Sequence, residues 1–482
     1  VVPSFLLVSL NMDAILGEIT LYKRRMKLDE MTKGEGLGEA YAATISRMKA
    51  QLGGRSKLGM EVLMWVSHAE RPLHVDELCH ALGVEKGFTD LNIRNIPAIE
   101  TLLACSLGLV IVEKSSSTIR LIHYTLQEYL SHNPNLLLKP HSVIAEVCLT
   151  YLSFSHVCCI SPALRSVPLT APFVEYASCH WGTHVRRETS ENVKTLALKL
   201  LDKYDEHISS KVLLLHGARS WVLPFDPEGT PRGFTGLHGA AYFGCIELIV
   251  ALLETNKCDV QATDNHGNTA ITWAARLGHE EAVRVLLERS DINPNKADWC
   301  HRTPLRWAAE NGHEGVVRTL LAWDDVNPNQ MDDFGETPLF RAASNGDEGI
   351  VMMLLGRNDI NPDKANKLDR TPLWSAAKNG HEGVVRTLLA RDDVNPDQVD
   401  RFGETTLFQA ASNGHEGVAR ILLERNGINP GSAGTEYGQA VLLGAAKNGD
   451  EGIVKTLLER NDINPDKAAR LDRTPLRCQG WT

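Results

Sequence analysis

Apolar positions along the second half of the chain recur on a fixed long period. Thr235, Thr269, Thr303, Thr337, Thr371 and Thr405 stand 34 residues apart, the series slips by one to Ala440, and it resumes at Thr474. Leu320, Leu354, Leu388, Leu422 and Leu457 follow the same rule with the same slip. Within a unit, Thr303-Pro304-Leu305 opens a helix: the hydroxyl suits an N-cap and proline the first helical position. Ala308-Ala309 permits close approach of a neighbour, and Gly312 suits the left-handed residue that ends the helix. Val316, Val317, Leu320 and Leu321 form the apolar face of a second helix, and Asp325-Val326-Asn327-Pro328 breaks it. Each unit therefore reads as helix, turn, helix and extended finger. No unit can cover its own apolar stripe, so the units must stack.

The first half has a different pattern. Ile15, Leu16, Ile19, Tyr22 and Met26 fall on one helical face, and Tyr41, Ile45 and Met48 on another, with Lys33–Gly38 as the loop between. Leu58, Val62, Leu63 and Val66 mark a third helix, Leu73–Leu82 a fourth and Ile96–Leu107 a fifth. The period then shortens: Leu109–Val112 and Ile119–Ile122 read as strands around Ser115-Ser116-Ser117, before a helix over Tyr124–Ser131. Helices followed by a two-stranded wing describe a winged helix.

The expected fold class is thus all-α dominated: an α-solenoid preceded by a helical and winged-helix region with a small two-stranded wing. The expected domains are a helical segment at 1–57, the winged helix at 58–132, a helical, cysteine-containing bridge and linker at 133–232 (Pro224–Gly233 is rich in Pro and Gly), and repeats over 233–482. Seven repeats are complete. The eighth stops near Thr474-Pro475-Leu476, so the last residues are expected to fray.

Composition narrows the functional classes. The 482 residues are 43% apolar and 23% charged, ordinary for a globular chain. Net charge is −10, carried wholly by the repeats: residues 1–232 hold 24 basic and 24 acidic side chains, residues 233–482 hold 26 and 36. That sign opposes a nucleic-acid partner. No apolar run suggests a membrane span, and ten scattered cysteines read as reduced thiols of a cytoplasmic protein.

The repeat resembles the ankyrin repeat, one residue longer than usual, over about half the chain. That resemblance implies a protein partner on the extended surface made by fingers and first helices. The finger positions are Trp299, Cys300 and Arg302; Asp333, Phe334 and Glu336; Lys367, Leu368 and Arg370; Arg401, Phe402 and Glu404. On the first helices they are Glu310, Ser344, Lys378 and Ser412. Aromatics and arginines suit such an interface; alternatively, the alternating charges pair between neighbouring fingers and only solubilise the array.

Residues 5–132 resemble the part that follows the nucleotide-binding core in fungal NACHT-type (STAND, NLR-like) signalling NTPases. The segments that carry this are Phe5–Leu10, Leu58–Ser67, Arg71–Leu78 and Ile122–Leu130. The same winged-helix type is associated with proteins labelled inositol-deacylase-like. The resemblance implies a sensor half: repeats recognise a protein cue, and the winged helix relays it to a core lying before Val1. It links such proteins to non-self recognition and programmed death responses. It also makes His123, at the junction of wing strand and helix, a candidate sensor of bound nucleotide, against a plain role at a helix end.

No enzyme is expected in this chain. The phosphate-binding G-x-x-x-x-G-K-[ST] is absent, and Gly34-x-Gly36-x-Gly38 has the wrong spacing and no preceding strand. Gly-His-Glu-Gly at 312, 380 and 414 is not H-E-x-x-H, and its histidine reads as closing the helix–turn–helix. Asp393-x-Asn395-x-Asp397 with Glu404 mimics a calcium loop but lacks its glycine. No catalytic or metal residues are assigned. ATP or GTP, and oligomerisation, are expected only with an upstream core. The alternatives are a stand-alone ankyrin scaffold, or the non-catalytic tail of an enzyme whose catalytic part lies upstream.

Overall fold

The computed structural model describes residues 20–32, 37–162, 168, 170–218, 233–255, 258–425 and 441–458. The chain divides into two compact units, Val1–Leu252 and Leu253–Thr482.

In the first unit, helices α1 (Leu21–Thr32), α2 (Leu37–Lys49) and α3 (Arg55–His68) lead into strand β1 (Leu73–His74) and helix α4 (Val75–Leu82). Helix α5 (Ile99–Cys105), strands β2 (Val110–Glu113) and β3 (Thr118–Leu121), and helix α6 (Tyr124–His132) complete the winged helix. The wing hairpin is present, in register Val110↔Leu121 to Glu113↔Thr118, but the sheet has three strands in the order β1-β3-β2. Leu73 pairs with Ile119 and His74 with Thr118. The segment expected to be wholly helical from Leu73 therefore starts extended. Two residues are too few to show a strand's alternation, and their partners, Ile119 and Thr118, lie far along the chain. Helix α4 begins behind a capping box in which Glu77 accepts the His74 backbone N–H at 2.8 Å. Arg71 holds the same carboxylate at 2.6 and 2.8 Å.

Two further boundaries and one apolar face differ from expectation. Leu37 and Gly38 are helical rather than loop, and the fifth helix is shorter than Ile96–Leu107. Tyr22 and Met26 are exposed, at 74% and 47%, so the face expected over Ile15–Met26 is not buried where it is described. The predicted face of α2 does form a core: Tyr41, Ile45 and Met48 pack with Leu63, Leu109, Leu126 and Leu130.

The bridge is helical, as read: α7 (Pro140–Leu152), α8 (Ser155–Cys158), α9 (Val174–Arg187), α10 (Glu191–Leu201) and α11 (Ile208–Ala218). The first helix of the array, α12 (Gly236–Phe243), packs against this bundle, and α13 (Ile246–Glu254) follows it. A Cβ on Gly182 would lie 2.1 Å from the Phe243 ring, and one on Gly236 2.2 Å from the Leu201 carbonyl oxygen, so both glycines permit that close approach.

The second unit is a stack of helix pairs: Ala270–Arg276 with Glu280–Leu287, Pro304–Glu310 with Glu314–Leu321, Pro338–Asn345 with Glu348–Leu355, Pro372–Lys378 with Glu382–Leu389, Thr406–Ser412 with Glu416–Glu424, and Val441–Asn448 with Glu451–Leu458. First helices pack on first helices and second on second. The threonine hydroxyls cap as expected, Thr303 accepting from Arg306 N–H at 3.1 Å and Thr371 from Trp374 N–H at 3.2 Å. Gly312, Gly346, Gly380 and Gly414 take φ between +74° and +85°. Ala308, Ala309, Val317 and Leu320 are fully buried. The finger and first-helix start of the unit at Ala440, the truncated unit at Thr474 and most of the Pro224–Gly233 linker lie outside the described residues.

The histidine of Gly-His-Glu-Gly does two things. Its backbone N–H closes the turn within its own repeat, His313 to the Ala308 carbonyl at 3.0 Å. Its side chain reaches the preceding repeat: Nε2 of His313, His381 and His415 lies 2.9–3.0 Å from the carbonyl oxygens of Arg276, Ser344 and Lys378. Arg357, Arg391 and Arg425 do the same on the second helices, donating to the carbonyls of Leu321, Leu355 and Leu389.

Two substitutions rank these interactions. Thr371→Ala removes one cap and should cost about 1 kcal/mol. Asp332→Ala takes from the buried guanidinium of Arg306 one of its two carboxylates, leaving only Glu310, and strips the Phe334 and Glu336 N–H groups of their acceptor, so it should cost about 3 kcal/mol. Urea unfolding of both variants checks the order; equal costs would contradict it.

Candidate partner-binding surface

Each finger is built around one Asx residue, buried where it is an aspartate and half-buried at Asn366. Asp264, Asp298, Asp332, Asn366 and Asp400 recur every 34 residues. In each, Oδ1 accepts the backbone N–H groups two and four residues on; for Asp332 these are Phe334 and Glu336, both at 2.9 Å. The aspartates are no more than 6% exposed. Their second oxygens are also used: Asp298 Oδ2 accepts from Arg302 at 2.8 Å, Asp332 Oδ2 from Arg306 at 2.9 Å, and Asp400 Oδ2 from Arg370 at 3.2 Å. The sequence reading missed this series, although its period is as plain as that of the threonines. Neighbouring fingers then join by backbone bonds, Trp299 N–H to the His266 carbonyl, Asp333 to Cys300, Lys367 to Phe334 and Arg401 to Leu368, all at 2.9–3.0 Å.

This frame sorts the candidate residues. Trp299, Phe334 and Phe402 are exposed at 71%, 67% and 51%. Asp333, Lys367, Lys378 and Arg401 are exposed beside them, and Leu368 is half-buried. The remaining charged candidates are already paired within the array. Arg302 pairs with Asp298 in its own finger and lies 4.2 Å over the Trp307 ring. Arg370 bridges to Asp400 in the next finger and lies 4.1 Å over Trp374. Glu310 takes Arg306 at 2.6 Å and Arg341 at 3.1 Å. Glu336 takes Arg341 at 3.2 Å, and Glu404 accepts from Gln409 at 2.7 Å. Burial raises the Glu336 and Glu404 carboxyls, with Arg341 and Gln409 respectively opposing the rise. Ser344 and Ser412 are half-buried, and the Ser344 carbonyl receives Asn379 as well as His381. Asp333 Oδ1 accepts from His301 Nδ1 at 2.7 Å. His301, 58° in φ and on the same 34-residue period as Gly267, Gly335 and Gly403, is a second fingertip residue absent from the sequence reading.

The calcium-like pattern is occupied by its own turn. Asp393 pairs with Arg391 at 2.6 Å, and Asn395 Oδ1 accepts the Asp397 N–H at 3.1 Å.

His123 stands at the N-cap of α6. Its Nδ1 accepts from Thr125 N–H at 3.3 Å and lies 2.9 Å from Thr125 Oγ1, which Tyr41 Oη approaches to 2.8 Å. The imidazole thus secures a helix end and ties the wing junction to α2.

Comparison with known proteins agrees with this architecture. A model of ankyrin repeats matches three times, over residues 237–332, 305–400 and 392–468. A model described as the winged helix domain of GPI inositol-deacylase matches residues 45–138. The chain therefore contains ankyrin repeats and a winged helix domain of that type. The solved ankyrin repeat domain of human ASB11 is similar at 23% identity, over 44% of this chain and 92% of that one, with a TM-score of 0.39. No curated protein matches. Among the described residues no helix is long and apolar enough to cross a membrane.

The pairing pattern separates structural from available charge. Arg370→Gln should lower stability by about 2 kcal/mol, because it leaves the Asp400 carboxylate without its cation. Lys378→Ala and Arg401→Ala should each stay within about 0.5 kcal/mol. Denaturation midpoints of the three variants check this; an unchanged Arg370→Gln midpoint would show the bridge to be idle.

Proposed function

We propose that this chain is the recognition and relay portion of a signal-transduction switch. The ankyrin array binds a protein partner through its fingertips, and the winged helix passes that occupancy to a NACHT-type nucleotide-binding core. Its part is binding rather than catalysis. Ankyrin repeats generally mediate protein–protein contact, and this winged-helix type occurs in NACHT-containing proteins. One observation carries the map: Arg302, Glu310, Glu336 and Arg370 are held by partners within the array, while Trp299, Phe334 and Phe402 stay exposed on successive or alternate fingers. Large aromatics held on a rigid frame anchor interfaces well, since little side-chain freedom is lost on binding.

Replacing Trp299, Phe334 and Phe402 together by serine should abolish partner capture, with thermal unfolding of the array unchanged. Capture retained by a folded triple variant would overturn the map. The relay is tested separately at His123: His123→Ala should alter nucleotide exchange and activation in a protein that contains the core, and unchanged exchange would remove the sensing role while leaving the binding surface intact.

A further inference from the structure

A group of histidines that the sequence scatters over more than a hundred residues meets in the first unit. Glu70 follows the end of α3, His141 lies in the first turn of α7, and His184 lies in the last turns of α9. One ligand-capable atom from each of Glu70, His141 and His184 lies within 4.8 Å of the other two. We propose that these three residues bind a borderline transition-metal ion of the zinc(II) type, clipping the winged helix to the helices that follow it.

The donor set suits that ion. Two imidazoles and one carboxylate select zinc and its neighbours, whereas magnesium and calcium favour oxygen-only sites. His141 Nδ1 and His184 Nδ1 face each other at 2.9 Å, and two such lone pairs tolerate that distance only with a proton or a cation between them. Nitrogens on a tetrahedral zinc sit roughly 3.3 Å apart, so accommodation needs a shift of a few tenths of an ångström. Burial is the main force holding both rings neutral, with His184 down to about 3 and His141 to about 4, so both keep a lone pair for a metal at neutral pH. No proton need be lost: the hydrogen between the two Nδ1 atoms moves to the far nitrogen of its own ring.

The surroundings are those of an oriented site. His184 is fully buried, and its Nε2 lies 2.9 Å from Tyr176 Oη, which also accepts the Glu70 backbone N–H at 3.1 Å. A hydrogen bond on the far nitrogen is what fixes a metal-binding imidazole. Arg187 grips both Glu70 oxygens, at 2.6 and 3.1 Å, fixing the carboxylate plane while leaving each oxygen a further lone pair. Its charge opposes a bound cation, and Glu70 is helped to offset it by Glu188, whose Oε2 accepts the Ser142 N–H at 3.1 Å. The His68 ring stands edge-on to His141 with centroids 5.4 Å apart. Glu70 and His141 are only partly buried, which gives an ion access from solvent.

The test uses the full chain, freed of metal by chelation and carrying no histidine tag, titrated with Co(II) and with Zn(II). The expected result is one equivalent bound, with the visible ligand-field absorption of a four- or five-coordinate nitrogen–oxygen site, and displacement of Co(II) by Zn(II). Glu70→Gln and His141→Ala, both at partly exposed positions, should weaken binding about 10-fold or more while leaving the circular dichroism unchanged. If His184→Gln fails to fold, these two variants still decide the matter. No saturable binding, or binding undiminished in His141→Ala, overturns the proposal and leaves the two rings as a hydrogen-bonded pair.

Discussion

An ankyrin unit has two apolar faces and no material of its own to cover them, so each repeat holds its shape only while its neighbours stand on both sides. In this chain that dependence is enforced by hydrogen bonding as much as by burial. The Ala-Ala pair and the Val and Leu stripe put neighbouring helices in contact. Finger backbones then exchange bonds, histidines reach back to the preceding first helix, and arginines reach back to the preceding second helix. Each of these bonds connects a residue to one roughly a repeat away. Stability is therefore a property of the stack, which is what a quasi-one-dimensional fold requires.

The same dependence shapes the surface. A finger is an extended loop with few apolar contacts, and its conformation rests on a buried aspartate receiving backbone N–H groups. An unpaired carboxylate would be costly there. Arg302, Arg306 and Arg370 meet that cost, within one finger or across two. The charges that look like recognition elements in a linear reading are thus partly structural. What remains outward is a set of aromatic side chains on a stiffened frame, flanked by Lys367, Lys378 and Arg401 on one hand and Asp333 on the other. Rigid support and exposed rings are the conditions under which a few contacts carry most of an interface.

The first unit follows a different logic. Its helices and three-stranded sheet bury aromatic and polar side chains together, Trp65 against Phe173 and Tyr176, and Tyr176 against His180 and His184. Burial disfavours the charged form of His180 and His184, so these rings add polarity rather than charge to a cluster whose charges are those of Glu70, Arg71, Arg187 and Glu188.

The sequence alone determined the repeat, its caps, its left-handed glycines and the order of the winged helix, because these depend on neighbours within one or two turns and on a period repeated many times. Thr303, Gly312 and Val317 state their roles locally. It did not determine the fate of Arg302 and Arg370, whose appearance on a finger is the same whether they face a partner or an aspartate. It left Leu73–His74 as helix, because a two-residue strand is specified only by Ile119 and Thr118 across the sheet. It read His123 both as a sensor and as a cap, and the Thr125 contacts supply the second role without testing the first. The grouping of Glu70, His141 and His184 was beyond any local pattern: no spacing records it, since three separate elements must pack before the side chains meet. Short-range hydrogen bonding and periodic burial can be read along a chain; pairings between distant elements come into being only when the fold closes.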